Sequence, residues 1–358
     1  MIKGESGFGN LSGVSRYRFR TMIYIAVFWT LIDLVVSVLM RWNEVSLRPY
    51  GLLLRAVVVF IMSLGMGYLF MFALRKLLRR YPMWLNFLLK ALLIVLLALV
   101  MNFLVHLLEY LLIDKLSFMD AIRTLSQQVF NILFLLQNTL YWLTLLVITQ
   151  LYVEMNEKFS PGVFKDILMG KYFRPRVENR IVMFIDLKDS TPIAEKLGHE
   201  KYFLFIREFI YQVSMALIEY NGRIYQYVGD EIVVSWKNNP KNIKNCLAAV
   251  IESRRNIQRV SERFRRKFNE IPEFRVGIHV GEVTIGEIGV IKKDLAMSGD
   301  TMNTTARIRS ACNELNQKFI VSREFMESSN LKEWQAESLG MVDLKGKAEE
   351  VELFSLKI

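Results

Sequence analysis

Cysteine and histidine are scarce in this chain, and their scarcity argues against several kinds of site. Of the 358 residues, two are cysteine and three are histidine. Cys246 and Cys312 match no metal-binding spacing and no disulfide framework, which favours a reducing compartment for the second half of the chain. His106 has no second histidine in the first half, so nothing there supports haem ligation. The opening residues MIKGESGFGN lack an apolar core, so we expect no cleavable signal peptide.

Long apolar stretches, by contrast, are concentrated before residue 155. Hydrophobic residues make up 53% of the chain, and the mean hydropathy is +0.26. Four stretches reach the ~20 apolar residues that a helix needs to cross a bilayer. They are residues 21–40, 52–74, 84 to about 113, and 130–152. The sequence therefore predicts an all-α, four-helix transmembrane domain over residues 1–152, in a multi-pass protein of the plasma (inner) membrane with the lipid bilayer as a partner.

Basic residues beside these stretches indicate the orientation of the chain. They cluster before the first stretch and between the second and third, as Arg16, Arg18 and Arg20, then Arg75, Lys76, Arg79 and Arg80. The connection after the third stretch has no basic excess, whereas Arg41 and Arg48 argue weakly for the reverse orientation. Because Lys and Arg concentrate in cytoplasmic loops, we predict that both termini are cytoplasmic. Membrane topology also accounts for the net charge of +11, so we expect no nucleic-acid partner.

Polar side chains inside the apolar stretches leave two interpretations open. They are Asp33, Asn102, His106, Asn131, Gln137 and Asn138. Polar groups at this depth either mark a functional site that faces the interior of the bundle or form hydrogen bonds that hold helices together.

A connector over residues 153–178 follows the membrane domain. Ser160 and Pro161 are typical of the cap and first position of a short helix, and Gly170 is placed to end it. This helix is either a spacer or a parallel dimer contact that carries a membrane signal.

Strand and helix patterns alternate from Arg180 onward, which predicts an α+β domain with a largely antiparallel sheet. An apolar strand runs into Asp186, and two short strands are joined by Gly229 and Asp230. Two carboxylates on neighbouring strands can hold two divalent cations, Mg²⁺ or Mn²⁺. The turn with Ser190 and Thr191 opens a helix, where backbone N–H groups can bind triphosphate oxygens.

Five motifs occur in order over the second half: FIDLKDST, YVGDEIVVSW, RVGIHVGEVTIGEIG, SGDTMNTTAR and DLKGK. Together they resemble the class III nucleotidyl cyclases, which convert nucleoside triphosphates to cyclic nucleotides. The resemblance implies a ferredoxin-like α+β catalytic domain over residues 179–358. It also implies that two such domains pair head to tail in a homodimer, with the active sites at their interface.

The resemblance assigns roles to individual residues. Asp186 and Asp230 look like the metal ligands, and Asn303 looks like the residue that orients the ribose. Arg307 resembles the arginine that stabilises the α-phosphate in the transition state. Lys345 resembles the triphosphate-binding lysine, with Lys347 as the second choice.

Two departures from the family pattern concern the base. Adenylyl cyclases of the family commonly carry lysine at the position of Gln226, and aspartate or threonine at that of Ala296. We expect adenylate cyclase activity, converting ATP to 3′,5′-cyclic AMP and pyrophosphate. A guanylate or other nucleotide cyclase and a catalytically weak membrane sensor remain alternatives. Diguanylate cyclases match only the VGDEI hairpin, where Val228 replaces the first glycine of their motif.

Overall fold

The computed structural model describes residues 13–40, 49–73, 82–129, 132–158, 163–291, 294–329, 336–347 and 349–357. The chain divides into two compact units. One is Ser15–Lys158, and the other lies within Phe159–Ile358. The finer domain limits at residues 152 and 178 stay predictions.

The first unit is helical throughout its described regular structure. Its helices are α1 (Gly13–Met40), α2 (Pro49–Tyr68) with a π-helical continuation (Leu69–Ala73), α3 (Met83–Leu112), α4 (Phe118–Val129) and α5 (Ile132–Lys158). Within the described residues, three segments are long and apolar enough to cross a membrane: Arg18–Leu39, Gly51–Phe72 and Leu88–Leu112. These helices fit a membrane anchor.

The fourth predicted span is not confirmed as a span. Its residues are largely helical in α5, but α5 is not among the three membrane-compatible segments. Its predicted start at residue 130 lies outside the described residues, as do the loop arginines 41 and 48 and the basic cluster at 75–80.

The connection after α3 contains a helix that the sequence pattern did not predict. Ser117 caps α4, because its hydroxyl accepts a hydrogen bond from the backbone N–H of Asp120 at 3.2 Å. The same hydroxyl donates to the Asp120 carboxylate at 2.6 Å. Side-chain bonds of this kind satisfy the unpaired groups at a helix start.

Polar residues of the helical unit contact one another across helices. Arg55 donates to Asp33 at 2.8 and 3.0 Å and to Glu109 at 2.8 Å. The Tyr141 hydroxyl lies 3.3 Å from Asp33. These contacts join α1, α2, α3 and α5, which favours the interpretation that polar groups hold the bundle together.

The second unit begins with the connector and continues as one sheet flanked by helices. Its strands are β1 (Arg176–Leu187), β2 (Arg223–Val228), β3 (Glu231–Lys237), β4 (Phe274–Ile288), β5 (Asp294–Ser298), β6 (Phe319–Ser322), β7 (Ala336–Val342) and β8 (Val351–Leu356). Its helices are α6 (Val163–Leu168), α7 (Ser190–Glu219), α8 (Pro240–Arg259), α9 (Ser261–Phe268), α10 (Asp300–Glu314) and α11 (Arg323–Ser329). Ser160 and Pro161, the predicted start of the connector helix, lie outside the described residues.

The sheet has the strand order β2-β3-β1-β4-β6-β8-β7, and β5 pairs with β4. The first four strands follow the connection β1-α7-β2-β3-α8-β4, and each neighbouring pair among them is antiparallel. This is the ferredoxin-like arrangement that the sequence led us to expect. Only the β4–β6 pair is parallel among the described strands, so the sheet is mixed as a whole.

Both faces of the central strand β1 are buried. Ile181, Met183 and Ile185 pack in the core beneath α7 and α8, while Val182 and Phe184 join a second core on the opposite face. A strand buried on both sides reads as a continuous apolar run rather than as an alternation. The first polar residue after this run is Asp186, which β1 therefore presents at the edge of the core.

Candidate active site

Two carboxylates meet where β1 ends and the β2–β3 hairpin turns. Strand β3 pairs with β1 from Lys237 opposite Arg180 to Ile232 opposite Ile185, so the turn at Gly229 and Asp230 lies beside the end of β1. Gly229 has φ +61°, which the first central residue of a tight hairpin turn requires and which glycine adopts without strain. The structure thus brings Asp186 and Asp230 together, as the motifs predicted.

The charges and burial around Asp186 and Asp230 favour the binding of a cation. Burial is the main cause that raises the pKa of Asp186 to about 6, and the negative charges of Asp230 and Glu231 raise it further, whereas Arg309 opposes them. Oδ2 of Asp230 is buried without a hydrogen-bond partner among the described residues. A buried carboxylate oxygen without a partner is costly, and a bound cation would satisfy it.

Metal ligation here would depend on few protein groups. Within the described part of the chain, no group of three or more His, Cys, Asp or Glu residues has the arrangement of a metal site. Mg²⁺ is commonly held by one or two carboxylates together with substrate phosphates and waters. The pair Asp186 and Asp230 fits that pattern, and further oxygen ligands would come from a nucleotide.

The predicted phosphate-binding turn directly follows β1. Asp189 has φ +55°, and its side chain makes no capping bond to the first turn of α7. Thr191 is exposed, whereas Ser190 hydrogen-bonds with Tyr202. Burial and the charges of Asp230 and Asp186 raise the pKa of Tyr202, which therefore lies near both carboxylates. The motifs did not indicate Tyr202, because it lies a dozen residues away at ordinary helical spacing.

A second group of predicted residues assembles on α10 and the turn at residues 344–347. Asn303 is exposed and Arg307 is half-buried, one helical turn apart. A Cβ placed on Gly346 would lie 3.4 Å from the Arg307 guanidinium, so this turn packs against Arg307. Lys347 pairs with Asp300 at 3.2 Å, which leaves the exposed Lys345 as the better placed lysine for a triphosphate.

Arg309 was missed by the sequence motifs, yet it contacts the carboxylates directly. Its Nη1 lies 3.1 Å from Asp186 Oδ2, and its Nη2 lies 2.7 Å from Glu231 Oε2. Helix α10 approaches the sheet closely here, because a Cβ on Gly277 of β4 would lie 2.5 Å from the Arg309 backbone nitrogen.

Arg307 and Arg309 leave α10 in nearly opposite directions. Successive residues of an α-helix are about 100° apart, so residues two positions apart are about 200° apart. Since Arg309 faces Asp186 of its own chain, the face with Arg307 and Asn303 points elsewhere. The two groups of candidate residues therefore lie on different sides of α10.

The two base positions lie on strands β2 and β5, which contact each other through Tyr225 and Met297. Strand β2 has an irregularity between Ile224 and Gln226. Ile224 packs in the core under α7, and the Tyr227 hydroxyl lies 3.0 Å from Ser214 of α7. The intervening residues therefore face the other side, where the backbone N–H of Met297 donates to the Tyr225 hydroxyl at 3.0 Å. Met297 follows Ala296 on β5, and Gln226 follows Tyr225 on β2.

The model of the adenylate and guanylate cyclase catalytic domain matches residues 174–357 of this chain. The chain belongs to the class III nucleotidyl cyclase family. The resemblance of its motifs is thereby confirmed. Members of this family depend on divalent metal ions, and dimerisation is typical of them.

The relatives include both adenylate and guanylate cyclases. Adenylate cyclase 2 of Rhizobium meliloti (strain 1021) is 30% identical over 206 residues, which are 57% of this chain and 57% of that protein. A receptor-type guanylate cyclase of Caenorhabditis elegans is 24% identical over 200 residues, 54% of this chain and 18% of that protein. The structure of a bacterial light-regulated adenylyl cyclase aligns with TM-score 0.52 and 16% identity, over 61% of this chain and 64% of that one, and shows a shared fold. The chain spans little more than half the length of the first relative.

Proposed function

We propose that this chain is a membrane-anchored adenylate cyclase, active as a homodimer with two divalent cations. It converts ATP to 3′,5′-cyclic AMP and pyrophosphate. The observation that carries the proposal is the geometry of α10: Arg309 faces the carboxylates of its own chain, so Arg307 is available to those of a second copy. The three apolar helices support the membrane anchor.

Each group of candidate residues forms a half-site with a defined task in the reaction. Asp186 and Asp230 would hold the cations, which supply charge neutralisation at the triphosphate and activate the 3′-hydroxyl. Asn303 of the second copy orients the ribose so that its 3′-oxygen attacks the α-phosphorus in line with the leaving pyrophosphate. Arg307 of the second copy stabilises the negative charge that develops on the α-phosphate.

The remaining groups bind the triphosphate, including the pyrophosphate that leaves. Lys345 is exposed beside the turn that packs on Arg307, and it binds the β- and γ-phosphates from the same side. Backbone N–H groups at Ser190 and Thr191, near the carboxylates, bind phosphate oxygens at the start of α7. The bond from 3′-oxygen to phosphorus forms as the bond to pyrophosphate breaks, and the hydroxyl proton is released.

Mixed dimers test the two-chain site. Asp186→Ala and Arg307→Ala should each be nearly inactive alone, and losing Arg307 should slow the reaction roughly 10²–10³-fold. Co-expressed in equal amounts, the two variants form mixed dimers with one intact site each. About half of randomly paired dimers are mixed, so the mixture should recover roughly a quarter of the parent activity.

A matched pair of variants serves as the control. Asp186→Ala mixed with Asp230→Ala leaves no intact site in any dimer, because both carboxylates belong to the same half-site. This mixture should stay inactive. Recovery in the control, or none in the first mixture when mixed dimers are present, would contradict a site shared between two chains.

A guanylate cyclase is the second candidate. It is favoured by Gln226 and Ala296, which replace the residues common in adenylyl cyclases, and by the similarity to a guanylate cyclase. Incubation of the purified protein with ATP, GTP, CTP and UTP in Mn²⁺, with products read by mass spectrometry, separates the candidates. We expect cyclic AMP to form fastest at equal substrate. A faster cyclic GMP product would correct the base and leave the cyclase assignment in place.

A further inference from the structure

Arg309 forms an ion pair with Asp186, the carboxylate that we propose as a metal ligand. Its guanidinium bridges Asp186 and Glu231, and the three side chains are 23%, 19% and 15% exposed. Charge-assisted bonds to a carboxylate at such burial are stronger than ordinary surface ion pairs. The bridge therefore fixes the position of the Asp186 carboxylate.

The ion pair leaves two buried polar atoms of this site without hydrogen bonds to described residues. Nε of Arg309 and Oδ2 of Asp230 are both buried without a hydrogen-bond partner among the residues that the structure describes. The guanidinium pairs with two carboxylates, those of Asp186 and Glu231, and the negative charge of Asp230 also acts on Asp186. This arrangement attracts a cation but already neutralises part of the charge that would bind it.

A metal and Arg309 would compete for the negative charge of the Asp186 carboxylate. Mg²⁺ binds carboxylate oxygens at about 2.1 Å and demands a complete ligand shell. Nη1 of Arg309 lies 3.1 Å from Asp186 Oδ2, so a cation bound by this carboxylate would lie near a second positive charge. The shorter contact, 2.7 Å to Glu231, offers an anchor on which the guanidinium can pivot away from Asp186.

We propose that Arg309 is a positioning residue that competes with the divalent cation for Asp186, so that the Arg309–Asp186 ion pair weakens metal binding. This inference rests on the proposed function, because it takes Asp186 as a metal ligand. Arg309 thus limits metal affinity in the free enzyme and keeps the carboxylates neutralised when no metal is bound. Arg309→Gln removes the competing charge and should tighten metal binding about tenfold, the low end for one charge-assisted bond in a partly solvated site.

The test measures metal binding without nucleotide or turnover. The full-length protein in detergent is titrated with Mn²⁺, and free Mn²⁺ is read by electron paramagnetic resonance. Arg309→Lys keeps the charge but lacks the planar, two-nitrogen fork that reaches both carboxylates, so its affinity should lie between those of the parent and Arg309→Gln. Thermal unfolding of each variant checks that the fold is retained, and Arg309→Lys serves where Arg309→Gln unfolds.

Arg275→Gln is the matched control. Arg275 lies opposite Asp186 on β4 and lowers its pKa through charge alone, while its guanidinium contacts Asn313. Removing it should tighten Mn²⁺ binding less than threefold. An equal gain in both variants, or no gain with Arg309→Gln, would overturn the proposed competition.

Asp186→Asn separates this inference from the proposed function. If Asp186→Asn lowers Mn²⁺ binding but Arg309→Gln leaves it unchanged, the metal site stands and the competition by Arg309 is wrong. If Asp186→Asn leaves Mn²⁺ binding unchanged, Asp186 is not a metal ligand, and both the inference and the metal assignment fall.

Discussion

At the scale of single residues, the start of β1 depends on a buried charge network. Arg180 is 2% exposed, and Glu178 accepts hydrogen bonds from it at 2.6 and 3.0 Å. Lys171, from the segment before β1, donates to the same carboxyl group at 2.6 Å. Burial alone would raise the pKa of Glu178, but the two cations outweigh it and lower the pKa to about 2.

Glu178→Gln should destabilise the catalytic unit by about 2–3 kcal/mol at neutral pH, because it leaves Arg180 without its main partner. A carboxyl group with a lowered pKa stabilises the fold above its unfolded value near 4.5, and the effect disappears as the pH falls towards about 2. The difference in unfolding free energy between parent and variant should therefore shrink over that range. Glu337→Gln, from an exposed pair with Lys357, is the control and should change little. A pH-independent difference would contradict the charge explanation.

Base selection can be tested at a single position. The amide of Gln226 both donates and accepts, which suits the N6 and N1 edge of adenine. A carboxylate there only accepts, and guanine offers two donors on the same edge. Gln226→Glu should therefore raise the ratio of kcat/KM for GTP over ATP by about tenfold or more. Gln226→Ala is the control, since it should raise KM for both nucleotides without reversing the preference. An unchanged ratio in the Glu variant would remove Gln226 from the base site.

Residues that belong to a local sequence motif can be predicted from the sequence more readily than residues whose contacts arise from tertiary packing. Asp186 and Asp230 follow from a buried strand and a tight turn, both local patterns. Arg309 acquires its contacts only because one face of α10 packs on β4, which depends on pairing between segments far apart in the chain. Gln226 was marked by its motif, but the side of the sheet that it faces depends on an irregularity of β2 that no local pattern indicated.

At the scale of elements, the contact between β4 and α10 positions both Arg309 and the candidate residue Arg307. A side chain on Gly277 would collide with the backbone of Arg309, and one on Gly281 would lie 2.5 Å from Thr301 Oγ1. The glycines in RVGIHVG are therefore explained by the close approach of a helix. The family resemblance implied the arrangement of the first four strands, and the Ser117–Asp120 capping pattern is a local sign of α4 that the sequence analysis overlooked. The parallel β4–β6 pair has no local signature.

Gly277→Ala should push α10 away from β4, since its Cβ would lie 2.5 Å from a backbone nitrogen that cannot move alone. We expect a loss of about 1–3 kcal/mol in stability and a fall in activity, because Arg307 and Arg309 move with the helix. Gly286→Ala on the same strand is the matched control, as its nearest neighbour, Pro175, lies at 3.3 Å. Thermal unfolding and cyclase assays of both variants provide the measurement. Equal effects in the two variants would contradict the proposed role of the contact.

At the scale of the whole molecule, the number of membrane crossings decides where the catalytic unit lies. Three described helices have membrane-compatible segments, and α5 is helical but does not belong to that set. With the first terminus in the cytoplasm, three crossings would place the catalytic unit outside, away from cellular ATP. Four crossings return it to the cytoplasm, so α5 must span the bilayer if the proposed function and a cytoplasmic first terminus both hold.

Cysteine labelling tests this topology, and the chain suits it because Cys246 and Cys312 are both buried. We predict that an impermeant maleimide labels Met119→Cys on intact cells, since Met119 is 69% exposed and follows the third crossing. Arg79→Cys, in the basic cluster, and Lys241→Cys, on the exposed start of α8, should react only after permeabilisation. Labelling of Lys241→Cys on intact cells would mean that α5 does not cross. Labelling of Arg79→Cys together with protection of Met119→Cys would mean that the whole bundle is inverted.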